Sequence, residues 1–281
     1  MIFRPQRAPE DLRAVAEAAD TAGVDELWLW EDCFDAGGIS CAAAVLAWTQ
    51  RLHVGIGVLP VPLRNPALAA MEIASLARLF PDRIHVGLGH GVLDWMGQID
   101  ARAESPMTLL REYVIALRQL LDGETVTCEG KYVNLREVGL RWPPLERLDL
   151  HVGAIRPKTI ALAGELADGV VLTGGNPIED VVEARAAFDA AWGERPGRGR
   201  VTAYLMAVPG DDAEARYRAE VEHWGRRRGG ETGTYGGAES IASAVRRWAD
   251  AGADAVILQP TAEEDPVGFA RFVGEQVRPL I

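Results

Sequence analysis

The stretch His53-Val54-Gly55-Ile56-Gly57-Val58-Leu59 reads as a buried strand, and the helix and second strand after it decide the fold. Asn65-Pro66 opens a helical run to Phe80, and Pro81 ends it. Ile84 to Leu88 is the next strand, so this segment is a strand–helix–strand unit. Reading outward, Glu10 to Ala22 places Leu12, Val15, Ala16 and Ala19 on one helical face, with Gly23 as the stop. Glu26 to Trp30 reads as a strand and Ile39 to Trp48 as a helix of small residues. Later strands are expected at Leu148 to Gly153, Gly169 to Thr173, Val201 to Val208 and Ala255 to Gln259, with Ile2 to Pro5 as the first. Ser105-Pro106, Asn176-Pro177 and Asp265-Pro266 repeat the capped-proline start of a helix. Thr125 to Leu135 reads as a hairpin turning at Glu129-Gly130. The Gly- and Arg-rich stretches Gly193 to Arg200 and Arg226 to Gly237 are expected to be irregular.

Eight strands, nearly all followed by helices, in a chain near the usual ~250 residues, predict an α/β fold, a (β/α)₈ barrel spanning residues 1–281 as one domain. A doubly wound sheet would want a glycine fingerprint after the first strand, and Arg4-Pro5-Gln6-Arg7 has none. A barrel of this size has short loops, so the site is expected to be shallow or completed by a partner subunit.

The chain has 281 residues and a net charge of −12, from 29 Lys+Arg and 41 Asp+Glu. This balance argues against a nucleic-acid partner. No apolar run is long enough to span a bilayer, no secretory signal precedes Arg4, and Cys33, Cys41 and Cys128 form no pairing framework. A cytoplasmic protein with reduced thiols and no membrane partner is the expectation.

Barrel enzymes place their chemistry at the C-terminal ends of the strands. After the second strand come Trp30-Glu31-Asp32-Cys33-Phe34, which suit hydrogen bonding and proton handling at a ring-shaped ligand; Asp32 as a helix cap and Cys33 as a buried filler is the competing reading. Gly55 and Gly57 bare one face of the third strand, either for a flat ligand or for a helix packed outside. Gly87, Gly89 and Gly91 do the same on the fourth, where His90 is a candidate donor or proton shuttle, or a structural histidine. The fifth strand ends at Gly153-Ala154-Ile155, and Arg156-Pro157-Lys158-Thr159 opens a helix. Two cations, a hydroxyl and free N–H groups there suit a phosphate. Gly174-Gly175-Asn176-Pro177 makes a second open turn. No His, Cys and carboxylate spacing suggests a metal, and there is no nucleophile elbow or phosphate-binding Walker loop. Trp192, Trp224 and Trp248 fall on helical patterns and read as packing. These residues imply a flat, phosphorylated cofactor without naming it.

Four segments in order resemble one family: 23–32 (Gly-Val-Asp-Glu-Leu-Trp-Leu-Trp-Glu-Asp), 54–58 with Arg64-Asn65-Pro66-Ala67, 82–91 (Asp-Arg-Ile-His-Val-Gly-Leu-Gly-His-Gly) and 163–169 (Ala-Gly-Glu-Leu-Ala-Asp-Gly). Together they are similar to the luciferase-like monooxygenase superfamily, the flavin- or deazaflavin-dependent oxidoreductases that include methylene-tetrahydromethanopterin-reductase-like enzymes. The hairpin ending Lys131-Tyr132-Val133 is similar as well. The resemblance implies a barrel that holds coenzyme F-420, or alternatively FMN, at its mouth. It implies a non-proline cis peptide and bulge at Gly57-Val58 behind the ring, a rim aspartate at Asp32, and a phosphate held by the fourth- and fifth-strand loops. The expected cofactor residues are therefore Asp32, Gly57, Val58, Gly89, His90, Gly91, Ala154, Ile155, Arg156, Pro157, Lys158, Thr159, Gly174 and Gly175, with Asp32, Cys33 and His90 as catalytic candidates. Two positions depart from the deazaflavin sugar-phosphate dehydrogenases: Cys33 stands where they have a histidine, and Val92 where they have a glutamate. Their acid–base mechanism is not carried over. The implied activity is hydride transfer between F-420 and a small substrate. The alternatives are an FMN-dependent monooxygenase served by a separate reductase, and a cofactor-binding protein with a decayed site. A homodimer is the expected assembly.

Overall fold

The computed structural model describes residues 1–174, 176–223 and 232–281. The strands and helices alternate. In order they are β1 (Ile2–Phe3), α1 (Leu12–Ala22), β2 (Glu26–Leu29), α2 (Gly38–Trp48), β3 (His53–Pro60), α3 (Pro66–Leu79), β4 (Ile84–Gly89), α4 (Leu93–Gln98) and α5 (Pro106–Leu121). The hairpin β5 (Val126–Glu129) and β6 (Asn134–Val138) comes next, then β7 (Leu150–Ala154), α6 (Pro157–Leu166), β8 (Gly169–Leu172), α7 (Ile178–Trp192), β9 (Arg200–Pro209), α8 (Ala213–His223), β10 (Gly233–Gly236), α9 (Ala238–Asp250), β11 (Ala255–Gln259) and α10 (Pro266–Arg271).

The main sheet is parallel throughout and runs β1-β2-β3-β4-β7-β8-β9. β9 then forks. Its first half pairs with β11, from Thr202 opposite Ala255 to Met206 opposite Gln259, and its second half pairs with β10, from Met206 opposite Gly233 to Pro209 opposite Gly236. β1 lies beside β11, and the Arg4 guanidinium bonds the Pro260 carbonyl at 3.1 Å across that seam. The eight expected barrel strands are all present. β10 is an additional strand at the end of the Arg226 to Gly237 stretch that the sequence suggested was irregular; residues 226–231 of that stretch, and Trp224, lie outside the described residues.

Two of the four capped-proline starts work as expected: Asn65 Oδ1 accepts from the Ala67 N–H at 2.9 Å, and Asp265 accepts from Val267 and Gly268 at 3.2 and 2.9 Å. At Ser105 the hydroxyl bonds Thr108 Oγ1 at 2.8 Å instead. At Asn176-Pro177 the proline itself is the cap residue, and Asn176 is buried.

The barrel's inner core holds Ile2, Trp28, Val171, Tyr204 and Ile257. This explains the glycines of β3. A Cβ on Gly55 would fall inside the Trp28 ring system, and one on Gly57 would meet Trp28 and the Tyr204 hydroxyl. The missing side chains make room for two large aromatic groups inside the barrel, not for an outer helix. Among the described residues no helix is long and apolar enough to cross a membrane.

Candidate active site

A cavity of about 1230 Å³ opens at the C-terminal ends of the strands. Its volume exceeds the usual small-molecule pocket of roughly 300–1,000 Å³. Residues of α8 and β10 extend its lining beyond the end of β9.

The floor is set by a bulge in β3. The peptide between Gly57 and Val58 is cis, and the register of β3 on β4 shifts between Ile56 and Leu59. The bulge turns the Val58 side chain inward over three glycines from neighbouring strands. A Cβ on Gly87 would come within 2.9 Å of a Val58 methyl and one on Gly153 within 2.7 Å; one on Gly89 would come closer still. So the glycines of β4 and β7 seat Val58, and the ledge facing the cavity is one small branched side chain with Gly57, Gly89 and Gly153 beside it on the lining.

The two acids after β2 have different tasks. Glu31 is buried; it accepts from the Gly38 N–H at 2.7 Å, capping α2, and takes both terminal nitrogens of Arg64, one at 2.8 Å. Glu31, not Asp32, caps the helix. Asp32 faces the cavity, and burial, assisted by the charge of Asp35 and opposed by Arg4, raises its carboxyl to about 6. Cys33 does not line the cavity. Burial and the charges of Glu31 and Asp32 push its thiol upward, so it stays protonated and is a poor nucleophile. A second cis peptide, Cys33–Phe34, comes directly after it.

His90 lines the cavity, with Nε2 3.3 Å from Thr159 Oγ1. Burial lowers its pKa, favouring the neutral ring. Tyr204 rises through the barrel centre, stacks on Trp30 with ring centres 6.0 Å apart, and donates its hydroxyl to the Gly57 carbonyl. Arg4 is buried at the end of β1, 2.5 Å from Glu220 on α8. Arg156 and Lys158 stand exposed at the first turn of α6, next to the cavity-lining Ile155. Among the described residues no group of three or more His, Cys, Asp or Glu side chains is placed to hold a metal ion.

Residues 3–278 match the profile of a family described as luciferase-like monooxygenase. The chain belongs to that family. Within it, the chain is 30% identical over 229 residues to a 5,10-methylenetetrahydromethanopterin reductase from Methanolobus tindarius, covering 79% of this chain and 70% of that one. Its backbone is similar to an F-420-dependent secondary alcohol dehydrogenase solved with an F-420–acetone adduct (TM-score 0.87, 19% identity, 98% of this chain and 96% of that one). It is also similar to the FMN-bound oxygenating component of 3,6-diketocamphane monooxygenase from Pseudomonas putida (TM-score 0.78, 16% identity, 99% and 97%). These two likenesses concern the barrel alone.

The luciferase-like mouth brings together Asp32, Gly57, Val58, Gly89, His90, Gly91, Ile155 and Gly174 on the cavity wall. Ala154 is buried beneath Ile155, Pro157 and Thr159 belong to α6, and Thr159 turns its hydroxyl to His90 and Met107. Gly175 lies outside the described residues. Arg4, Tyr204, Gln259, Tyr217 and Tyr235 were missed by sequence reasoning. Arg4 and Gln259 carried a usable signal, since each is a polar residue at the C-terminal end of a barrel strand. The two outer tyrosines carried none: Tyr235 lies on β10, which was not legible as a strand, and Tyr217 lies on α8, away from any barrel-strand end.

Proposed function

We propose that this luciferase-like oxidoreductase transfers a hydride between coenzyme F-420 and a small organic substrate. The observation that carries the reading is the Val58 ledge: an inward bulge, flanked by Gly57, Gly89 and Gly91 on the cavity lining, in a cavity large enough for a tricyclic ring and a second molecule. The residues present fit the group. Gly57, Val58, Gly89 and Gly91 would back the ring. The exposed cations Arg156 and Lys158, at a helix start whose dipole favours an anion, would hold the phosphate.

When bound, a deazaflavin supplies a carbon that accepts or gives up a hydride. The chain's own work is to seat it, to keep bulk water away with Trp30 and Tyr204 below, and to handle a proton. Asp32 is suited to that task because its carboxyl titrates near neutrality. Cys33 and Val92 stand where the sugar-phosphate dehydrogenases carry a histidine and a glutamate, so the proton task is assigned here to the rim carboxyl of Asp32.

Titration of the purified protein with F-420, followed by its fluorescence, tests the proposal. Saturable binding, with weaker binding of FMN, is the expected result. Copurifying yellow FMN, or tighter FMN binding, would replace it with the monooxygenase reading and its separate reductase. Tight F-420 binding without turnover over a broad panel of alcohols, ketones and imines would support a decayed site.

A further inference from the structure

The cavity has a second wall that the cofactor reading leaves unused. It faces the Val58 ledge from the other side of the barrel and is built by β9, α8 and β10. Met206, Tyr217, Val221 and Tyr235 line it. The rings of Tyr217 and Tyr235 lie 5.3 Å apart and are tilted by 38°. This approach depends on Gly233: a Cβ there would come within 2.9 Å of the Tyr217 ring and 2.7 Å of the Met206 carbonyl oxygen. Tyr235 remains 39% exposed.

The charges around this wall favour a neutral occupant. Glu214 and Glu222 line it, and Asp32 faces it. Among the described lining residues the cation is Arg218, and its guanidinium is 2.6 Å from Glu214. Arg4 is turned to Glu220 and the Pro260 carbonyl. Among the described residues, an anionic head group here would meet the Glu214, Glu222 and Asp32 carboxylates, while Arg218 is engaged by Glu214.

We infer that the Tyr217–Tyr235 pair is the substrate platform and that it selects an uncharged molecule bearing a flat apolar ring, which stacks on the pair and turns its polar atom toward Asp32 and Gln259. The inference rests on the proposed cofactor reading for the orientation of that molecule, because the ring it must approach lies on the opposite wall. Aromatic pairs of this kind contribute about 0.5–1.5 kcal/mol beyond burial, enough to rank substrates against one another.

Acetophenone serves as the neutral ring-bearing probe and glucose 6-phosphate as the anionic one. Arg226, Arg227 and Arg228, outside the described residues, are the reason for the anionic arm. Dissociation constants are measured by ligand-observed NMR on the apoprotein and on the F-420-loaded protein. The wild type should bind acetophenone more tightly than glucose 6-phosphate. Tyr217→Leu and Tyr235→Leu should each weaken acetophenone by about tenfold, and Tyr217→Phe, which keeps the ring, by less than about twofold. F-420 affinity should stay within about twofold in all three. Tighter binding of glucose 6-phosphate, no acetophenone binding to the wild type, or equal losses in Tyr217→Phe and Tyr217→Leu would each overturn the platform. If F-420 fails to bind the wild type, the cofactor reading falls, and the apoprotein arm still decides the platform.

Discussion

The Tyr204 hydroxyl donates to the carbonyl oxygen of Gly57, 3.2 Å away across the barrel mouth. Burial pushes this phenol far above its ordinary value, so it remains a donor at every working pH. The bond ties β9 to the bulge that sets the cavity floor. Tyr204→Phe should cost about 1 kcal/mol of stability, read from urea unfolding, and weaken F-420 about fivefold, read by fluorescence. Unchanged affinity would mean that the bulge holds its shape without this donor.

A Cβ at residue 57 has no room. It would strike the Tyr204 hydroxyl and the Trp28 ring, and neither side chain has space to retreat inside the barrel core. Gly57→Val is expected to abolish F-420 binding and to lower the unfolding midpoint, as overpacked cores do by about 1–3 kcal/mol. Full retained affinity would refute the assignment of the ledge.

The carboxyl of Asp32 rises from 3.8 to about 6, with burial as the first cause and Asp35 as the second. The folded state therefore holds an extra proton between those two values, and stability falls as pH rises through that window. Asp32→Asn removes the effect. Its advantage over the wild type should grow from pH 4 to pH 6 and then level at about 2–3 kcal/mol. A constant difference across that range would show that Asp32 titrates normally.

At the opposite end of the barrel, His85 and His151 are packed with ring centres 5.9 Å apart. Burial, chiefly, lowers them to about 4 and about 3. Both stay neutral in the fold but take up protons near pH 6.5 once unfolded, so their contribution is complete above that pH and is lost as the medium becomes acidic. His151→Leu should reduce the steepness of the loss between pH 6.5 and 4 by about 1.4 kcal/mol per pH unit. Urea midpoints at a series of pH values provide the measurement, and parallel curves for the two proteins would count against it.

Much of the architecture was readable because each barrel strand is a short apolar run bounded by a cap or a glycine. β10 was not readable, since Gly233-Thr234-Tyr235-Gly236 has neither the length nor the alternation of a strand and exists only because the second half of β9 offers it a partner. The rim aspartate was found from its position after β2, whereas the division of labour between Glu31 and Asp32 needed Arg64, a residue 33 positions away. The glycines were read correctly as bare and incompletely as to what uses the bareness: Trp28, Tyr204 and Val58 occupy much of it. Asp168, part of a segment that carries the family resemblance, is a clamp below the barrel. It binds Arg118 at 2.5 Å, Arg147 at 2.7 Å and the Leu150 N–H at 2.9 Å. Periodicity has no means of reporting such a cluster, because its members come from α5, the loop before β7, the start of β7 and the turn before β8.

The fork in β9 has a consequence for how such a protein diversifies. Ring closure is carried by residues 202–206, and the upper wall is carried by residues 206–209. A lineage can therefore exchange the segment after Pro209, and with it the preferred guest, while the cylinder beneath stays shut and the redox seat is left as it was.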